Sequence, residues 1–245
     1  MVEKHCEREF EMIKRLLPLL FVGFLWSDNE IYVDQVGTSL DLTIEQLGSS
    51  NIVGGLNATS GSMTALDLDG NTQDITINQI GDNNLFRGDI ASDTFTMLAD
   101  FDGDGNSFTI QIDPTDTYGA DSTNLNIDVD GSSNTFSLDQ ATSDLAGTLD
   151  LDWIIQGDSN QLTFDIDTDQ ATSYVDIDGD SNQVTYDGDG YASTYFYLDQ
   201  TGNSRTFNVD QQSTLASDWL KINSSGNNGT VCVVQSDGGT TTSCP

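Results

Sequence analysis

Residues 151–164 read LDWIIQGDSNQLTF, and residues 173–186, which start 22 positions later, read SYVDIDGDSNQVTY. In both segments a Gly-Asp-Ser-Asn tetrapeptide is flanked by residues that alternate between apolar and polar. Because successive side chains of a strand point to opposite faces, each flank is predicted to be a strand with one apolar face. Glycine supplies the positive φ of a tight bend, and asparagine tolerates that conformation and caps backbone groups. The repeated unit is therefore a strand, a four-residue arc and a second strand.

The same unit recurs along most of the chain, with its apolar positions in phase. The shortest interval between successive arc glycines is 22 residues, and the longer intervals indicate insertions in the return segments. One unit alone cannot bury its apolar face, so neighbouring units must stack about 4.8 Å apart. The pattern predicts an all-β fold, a β-solenoid of about eight rungs, with a β-sandwich as the alternative. The predicted arc glycines are Gly37, Gly48, Gly81, Gly103, Gly131, Gly157, Gly179, Gly202 and Gly226.

Two of the early units carry a glutamine two positions before the glycine. Residues 46–51 (QLGSSN) and 79–84 (QIGDNN) both fit the pattern Q-x-G-x-x-N, and Gln35-Val-Gly37 begins a third copy. This pattern resembles the curlin repeat of curli fibre subunits, in which a second inward glutamine follows. The resemblance implies a curlin-like solenoid in a secreted subunit. Such subunits stack end to end into cross-β fibres on bacterial surfaces and serve adhesion and the biofilm matrix.

The resemblance also implies which residues carry assembly, because an inward amide can hydrogen-bond the same amide one rung away. The middle units depart from the pattern, since apolar residues such as Phe101 and Ile155 stand at the glutamine position. An apolar column packs without requiring one register, so we expect the middle to form a self-sufficient core. The residues to which the assembly role is carried over are Gln35, Gln46, Asn51, Gln79, Asn84, Asn134, Gln140, Asn160, Asn182, Gln200, Gln211 and Gln235.

The N-terminal segment, residues 1–27, is predicted to be a secretory signal peptide. Lys14 and Arg15 precede eleven mostly apolar residues, 16–26, and Ser27 offers a small residue for cleavage. Eleven helical residues are too short to cross a bilayer, so we expect no stable membrane insertion after cleavage. Met12 is an alternative start of the chain, and a buried amphipathic helix is the alternative to a signal peptide.

Export would leave residues 28–236 as the solenoid repeat domain and residues 237–245 as a C-terminal tail. Cys232 and Cys244 are an even pair of cysteines in the exported chain. A disulfide that tethers the tail is therefore predicted, with unpaired thiols as the alternative. The expected location is secreted, either extracellular or at the cell surface.

The composition is strongly acidic and excludes several classes of function. The 245 residues include 40 Asp and Glu against 7 Lys and Arg, a formal net charge of −33. Such a chain repels nucleic acids and anionic lipid surfaces, so neither is expected as a partner. The single histidine, His5, lies in the predicted signal peptide, which leaves no Ser–His or Cys–His pair in the exported chain. We therefore expect no enzyme and no cofactor, with a polysaccharide-active β-helix that uses two carboxylates as the remaining enzymatic alternative.

One acidic segment resembles the start of a calcium loop. The sequence Asp100-Phe-Asp102-Gly-Asp104-Gly105 matches D-x-D-x-D-G, although Gln111 stands where such loops have glutamate and the flanks read as strands. Weak calcium binding at these aspartates is one interpretation. The other is a solvated acidic face that keeps strand edges from associating. Stacked aspartates would also oppose assembly unless salt or a divalent cation relieves the repulsion.

These patterns predict a non-enzymatic, secreted structural subunit that forms or decorates extracellular fibres. Its partners would be further copies of itself or other curlin-like subunits. The alternative is a monomeric acidic solenoid that binds calcium, a glycan or a mineral. Surface glycans are suggested as partners by Tyr191, Tyr195, Tyr197 and Trp219, because aromatic rings stack on sugars, but the same residues could form an aromatic ladder.

Overall fold

The computed structural model describes residues 30–48, 51–56, 63–64, 66–112, 121–140, 146–190, 194–213 and 218–236. The regular structure in these residues is entirely β. The strands are β1 (Glu30–Ile31), β2 (Asp34–Leu47), β3 (Ile52–Val53), β4 (Gly55–Leu56), β5 (Met63–Thr64), β6 (Leu66–Ile80), β7 (Leu85–Asp102), β8 (Ser107–Ile112), β9 (Ser122–Asp130), β10 (Thr135–Gln140), β11 (Ala146–Gln156), β12 (Gln161–Asp178), β13 (Gln183–Gly190), β14 (Thr194–Thr201), β15 (Thr206–Ser213), β16 (Trp219–Ser225) and β17 (Thr230–Ser236).

The strands stack in parallel as two series within one 15-stranded sheet. Approach strands lead into the arcs, and exit strands leave them. β2, β6, β7 and β12 belong to both series, because each begins as an exit strand and continues as the approach strand of the next turn. The approach series is β2, β6, β7, β9, β11, β12, β14 and β16, and the exit series is β1 with the start of β2, β3 with the start of β6, β7, β8, β10, β12, β13, β15 and β17.

The predicted all-β solenoid is confirmed, but it has about six complete turns rather than eight rungs. The arcs from Gly81 to Gly202 each have a neighbouring turn on both sides, whereas the arcs at Gly48 and Gly226 lie in end turns that are paired on one side. The alternative of a β-sandwich is wrong, because stacked sheets of that kind are antiparallel. Among the described strands only β4 and β5 pair antiparallel, and every other pair is parallel.

Gly37 does not open an arc, in contrast to the prediction. It lies inside β2, opposite Gly70 of β6, at the return between an exit strand and an approach strand. A Cβ atom added to Gly70 would lie 2.1 Å from the Gly37 carbonyl oxygen. Glycine is therefore required at position 70 for the close approach of two backbones, whereas a Cβ atom at position 37 would meet the Nε2 atom of the Gln35 side chain at 2.6 Å.

The apolar side chains of all turns form one continuous core between the approach and exit series. In-register pairing stacks Ile127, Trp153 and Val175, each at most 1% exposed. The Trp153 ring lies 5.4 Å from the ring of Phe136 and 5.2 Å from that of Phe164, both edge to face. Each such side chain contributes about 1.5–3 kcal/mol through burial, so the stack is held chiefly by its core.

Several predictions from sequence concern residues outside the described ranges. These are the signal peptide (residues 1–27), the C-terminal tail (residues 237–245) and Tyr191. Within the ranges given above, no helix is long and apolar enough to cross a membrane.

Candidate functional site

The arcs share one backbone conformation that differs in one respect from the prediction. The first residue of each arc is a glycine with φ between 125° and 154°. The second positive φ, between 57° and 73°, falls on the third residue, which is Ser, Asn or Gly. Asparagine at the fourth position was predicted to share the left-handed conformation, but among the described arcs its φ is not positive. Asparagine instead occupies the fourth position because its side chain forms hydrogen bonds.

The fourth-position asparagines form a buried ladder along the solenoid. The Oδ1 atom of Asn106 accepts a hydrogen bond from the backbone N–H of Asn84 at 2.8 Å, and its Nδ2 donates to the Gly103 carbonyl at 2.7 Å. The N–H of Asn106 donates in turn to Oδ1 of Asn134 at 2.7 Å, and the pattern continues to Asn160 and Asn182. Asn106 and Asn160 thus tie their own arcs together and join them to the previous turn. Asn134 and Asn182 also join the previous turn, but the Nδ2 of Asn182 donates to the Gly157 carbonyl of that turn, and the Nδ2 of Asn134 has no partner among the described residues.

The predicted assembly residues Asn84, Asn134, Asn160 and Asn182 are therefore structural members of this ladder, each at most 1% exposed. Asn51, which is also buried, donates to the Gly48 carbonyl at 3.2 Å. The predicted assembly residues omitted Asn106, a full member, although it stands three positions after an arc glycine like the others.

The ladder ends at Arg205, which occupies the asparagine position in the seventh arc. Its guanidinium is buried and donates to the carbonyl oxygens of Gln200 at 3.3 Å and Ser225 at 2.9 Å. The equivalent position in the last arc is Gly229, and a Cβ atom there would lie 3.3 Å from the Arg205 guanidinium. Glycine at this position therefore leaves room for the larger side chain.

A second ladder uses the side chain at the second position of each arc and was not predicted. Asp158 Oδ1 accepts from the N–H of Asp180 at 2.6 Å, and Asp180 Oδ1 accepts from the N–H of Asn203 at 2.6 Å. Asp104 accepts in the same way from Ser132. Asp, Asn and Ser are the residues that accept backbone hydrogen bonds at helix caps and turns, so their restriction to this position was a usable signal. Part of the acidity of the chain therefore serves arc stacking.

The predicted glutamines fall into two columns, and Gln35, which was predicted to precede an arc glycine as Gln46 does, lies in the column of Gln140, Gln211 and Gln235. In the approach series, Gln79 donates from Nε2 to Oε1 of Gln46 at 2.6 Å, which is the expected amide contact. Gln200 lies in the same column and donates to the Gly179 carbonyl at 3.4 Å. The column is interrupted by Phe101 and three further apolar residues, as predicted.

The other glutamine column runs along the exit series. Its pairing connects Gln35 through Leu68, Ile90, Ile112, Gln140, Ile166, Gly188 and Gln211 to Gln235. Gln235 donates to Oε1 of Gln211 at 3.2 Å, and Gln211 donates to the Thr194 hydroxyl at 2.8 Å. Gln140 bonds the Thr123 hydroxyl at 3.3 Å. Gln35 and Gln235 thus occupy one column at opposite ends of the solenoid.

Aspartates stack on both outward faces. The predicted column pairs Asp100 with Asp128 and Asp176 with Asp199, but Ile154 separates the two pairs. A longer column on the exit face was not predicted, and it includes Asp139, Asp165, Asp187 and Asp210 in successive turns.

The exit-face column perturbs the ionisation of Asp187. Partial burial, together with nearby carboxylates, raises the pKa of Asp187 to about 6. Asp167, which lies two residues beyond Asp165, has its pKa raised to about 6 for the same reasons, with Asp189 the largest electrostatic cause. Equivalent atoms of adjacent turns lie about 4.8 Å apart, so the carboxylates of Asp165 and Asp210 oppose ionisation of Asp187. This face therefore binds protons under mildly acidic conditions.

The three aspartates that were predicted to bind calcium differ in position and in role. Asp100 and Asp102 lie on the outward face at the end of β7, and Asp104 lies in the following arc. Oδ1 of Asp104 accepts from Ser132 at 2.7 Å, so this oxygen serves the second arc ladder. Across the described part of the chain, no group of three or more His, Cys, Asp or Glu residues could hold a metal ion. Calcium binding at these residues stays a prediction.

Cys232 lies on the outward side of β17 and is disulfide-bonded. Its partner falls outside the described residues, and so does Cys244. The pairing of these two cysteines stays a prediction.

The apolar columns that are buried in the interior turns are exposed in the two end turns. Val231 and Val233 of β17 are 49% and 43% exposed, although their column partners Phe207 and Val209 are fully buried. At the other end Val33 is only partly buried against the core. Among the described strands none pairs with the outer edges of β16 and β17. The described part of the molecule therefore ends in open sheet edges above an uncovered core.

The two end turns also differ in charge. Residues 219–236, which form the last turn, contain no Asp or Glu and one Lys, Lys221. Residues 30–48 contain four acids, Glu30, Asp34, Asp41 and Glu45, and no basic residue. In this acidic chain the last turn is an exception, because it carries one positive charge, whereas the first described turn carries four negative charges.

Aromatic side chains form a patch on the outward face of the last three approach strands. The rings of Tyr174 and Tyr197 stack with centroids 4.8 Å apart, and the Lys221 Nζ lies 4.5 Å from the Tyr197 centroid. Beside them Tyr195 and Trp219 are each 46% exposed, with ring centroids 6.3 Å apart. Of the predicted aromatic residues, Tyr197 stacks on Tyr174, which the prediction did not include, whereas Tyr195 and Trp219 keep their rings accessible.

No family model, curated protein or solved structure matches this chain. Its chemistry is therefore argued from its own geometry. The described residues offer open strand edges at two complementary ends, buried amide ladders in between, and outward faces that carry carboxylates and one aromatic patch. These features suit assembly and surface binding.

Proposed function

We propose that this chain is a secreted, curlin-like structural subunit that stacks end to end into extracellular cross-β fibres for surface adhesion and the biofilm matrix. The single observation that carries the proposal is the complementarity of the two end turns. One end turn is the least acidic part of the described chain, the other is acidic, and both leave the apolar columns of the core uncovered. Two such ends match each other better than either matches itself.

The exit columns of the solenoid continue in register across a head-to-tail junction. The described exit series has one layer more than the approach series, because residues 30–37 form an exit strand that precedes the first approach strand. If β17 of one copy pairs with β1 and the start of β2 of a second copy, Val233 meets Val33 of that copy, because both belong to the column that contains Leu66 and Val209. β16 and the approach part of β2 of the second copy then lie two layers apart and do not pair. The junction therefore covers the apolar side chains that the exit strands leave exposed at each end.

The amide ladders also continue across this junction. Gln235 and Gln35 share a column, so stacking places Gln35 of a second copy on Gln235. This contact would repeat the one between Gln235 and Gln211, in which Nε2 donates to Oε1 at 3.2 Å. In the repeat of this contact Nε2 of Gln35 of the second copy would donate to Oε1 of Gln235. Such amide ladders fix the register of cross-β assemblies, which supports the carried-over role of both glutamines.

The junction avoids the repulsion that aspartate columns would otherwise create. The exit-face column ends at Val234, which would stack on Asp34 of a second copy. No carboxylate of the last turn therefore faces a carboxylate of the next subunit, whereas equivalent carboxylates inside one subunit do stack.

Fibre formation by the secreted form, residues 28–245, tests the proposal. We expect fibres that bind thioflavin T and diffract at about 4.7–4.8 Å along the fibre axis. The variant Val233→Lys places a charge in the junction and should prevent fibres while the monomer keeps its β-sheet circular dichroism. Thr230→Lys adds the same charge to the outward side of the same strand and should still form fibres.

Two results would overturn the proposal. The first is a wild-type chain that stays monomeric at high salt, with and without calcium, in microscopy and light scattering. The second is a Val233→Lys variant that forms fibres as readily as Thr230→Lys, since the junction would then not involve this end.

A further inference from the structure

The aromatic patch on the approach face is not used by end-to-end assembly. It consists of Tyr195 and Trp219 in one column and Tyr174, Tyr197 and Lys221 in the next, across β12, β14 and β16. These side chains point away from the core, on the face of the sheet rather than at its end. Large aromatic rings that remain nearly half exposed on a flat face indicate a binding surface.

The second column already holds a cation on its rings. The Lys221 ammonium lies 4.5 Å from the centroid of Tyr197, which is stacked on Tyr174 at an interplanar angle of 7°. The Tyr197 hydroxyl donates to Asp199 at 3.0 Å and accepts from the Asn223 amide at 2.8 Å. The column is thus fixed by hydrogen bonds, and its geometry shows that an ammonium group is accommodated over these rings.

Carboxylates border the aromatic patch on two sides. Asp152 precedes Tyr174 in its column, and Asp176 and Asp199 form the neighbouring column on the same face. A polyanion is repelled here, and an uncharged sugar would leave these carboxylates without counter-charges. The patch therefore complements a ligand that has both a flat apolar face and positive charge.

The backbone of this surface argues against an extended peptide as the ligand. The N–H and C=O groups of β14 are paired with β12 on one side and β16 on the other. A peptide that lies across β12 and β14 finds no strand edge with which to pair, and the open outer edge of β16 lies at the end of the sheet rather than on this face. Sugar hydroxyl groups, in contrast, bond to side chains such as Asp199 and Asn223, and pyranose rings stack on exposed aromatic rings.

We propose that Tyr195 and Trp219 form the stacking platform of a binding site for a polysaccharide with free amino groups, whose ammonium groups pair with Asp176 and Asp199. Binding occurs on the face of a single subunit and does not require fibres. A fibre would then carry many identical sites, one on each subunit, and would bind an amino-sugar polymer multivalently.

Titration of the monomeric secreted chain with a glucosamine hexasaccharide tests this site. Trp153 is fully buried and Trp219 is exposed, so a saturable change in tryptophan emission reports Trp219. We expect the affinity to fall as salt rises from 0.1 M to 0.5 M, because ion pairs at an exposed surface are screened. The N-acetylated hexasaccharide, which has the same rings without charge, should bind about tenfold more weakly.

Matched variants separate the site from the general acidity of the chain. In calorimetric titrations, Tyr195→Ala/Trp219→Ala should lose about tenfold or more in affinity, whereas Tyr32→Ala removes an equally exposed ring at the other end and should bind like wild type. Asp176→Asn/Asp199→Asn should weaken binding, and Asp100→Asn/Asp128→Asn, in the same column two turns away, should not. Circular dichroism of each variant checks the fold.

Three outcomes would overturn the proposal. Equal binding of the free and N-acetylated hexasaccharides would show that charge does not select the ligand. Unchanged binding by the Tyr195→Ala/Trp219→Ala variant would place the ligand elsewhere. Equally tight binding of hexalysine that is lost in the same variant would assign the patch to basic peptides. None of these outcomes depends on fibre formation, so the site and the proposed assembly can fail separately.

Discussion

The asparagine ladder makes a quantitative prediction at Asn106. Its Oδ1 accepts from the Asn84 N–H at 2.8 Å, and its Nδ2 donates to the Gly103 carbonyl at 2.7 Å. Replacement by alanine leaves both groups without these partners. A buried N–H without an acceptor costs about 1–3 kcal/mol, and the carbonyl, which lies nearer to solvent, adds about 1 kcal/mol. We therefore expect Asn106→Ala to lower the free energy of unfolding by about 2–4 kcal/mol.

Urea unfolding of the monomeric chain, followed by far-ultraviolet circular dichroism, measures this change. With a denaturant slope of about 3 kcal/mol per M, the midpoint should fall by roughly 1 M urea. The matched control is Asn126→Ala on β9, because this asparagine is exposed on the outward face. Surface substitutions of this kind change stability by about 0.5 kcal/mol or less.

A midpoint for Asn106→Ala that lies no lower than the midpoint for Asn126→Ala would refute the reasoning. The asparagine side chains would then fill the arcs without stabilising them. An intermediate result would indicate that water replaces one of the two lost partners.

Two further predictions concern protons and arc geometry. The folded chain raises the pKa of Asp167 and Asp187 from 3.8 to about 6, so it binds protons more tightly than the unfolded chain. The free energy of unfolding that these two groups contribute should therefore be greater at pH 4 than at pH 7, and it should be lost as the pH rises through about 6. Urea midpoints measured against pH test this expectation. The Asp167→Asn/Asp187→Asn variant should flatten the profile, and the control Asp150→Asn should not. Gly157→Ala would place a Cβ atom 2.0 Å from the Gly131 carbonyl oxygen at a φ of 145°, and should lower the urea midpoint severely. Gly105→Asn, at a φ of 73° where other arcs carry Ser or Asn, should be tolerated, and equal midpoints for the two variants would contradict the proposed arc geometry.

Much of the fold could be predicted because the strand and arc positions that each repeat favours locally are the ones that the stacked fold requires. The apolar positions around Trp153 keep their phase from turn to turn, and a parallel stack is the arrangement that buries all of them. The error at Gly37 arose because a glycine in a return segment, which lets the Gly70 backbone approach closely, has the same sequence signal as a glycine needed for a bend.

The sequence by itself determined the strand–arc–strand unit, its parallel stacking and the inward face, since these follow from periods of two and about 22 residues. Only the tertiary structure decided which turns are neighbours across the long insertions, and therefore which side chains share a column. The column that joins Gln35 to Gln235, the stacked aspartates that end in Asp210, and the open face beside Val233 are all properties of that register. Spacing along the chain cannot define them, because insertions change the number of residues in a turn without changing its place in the stack.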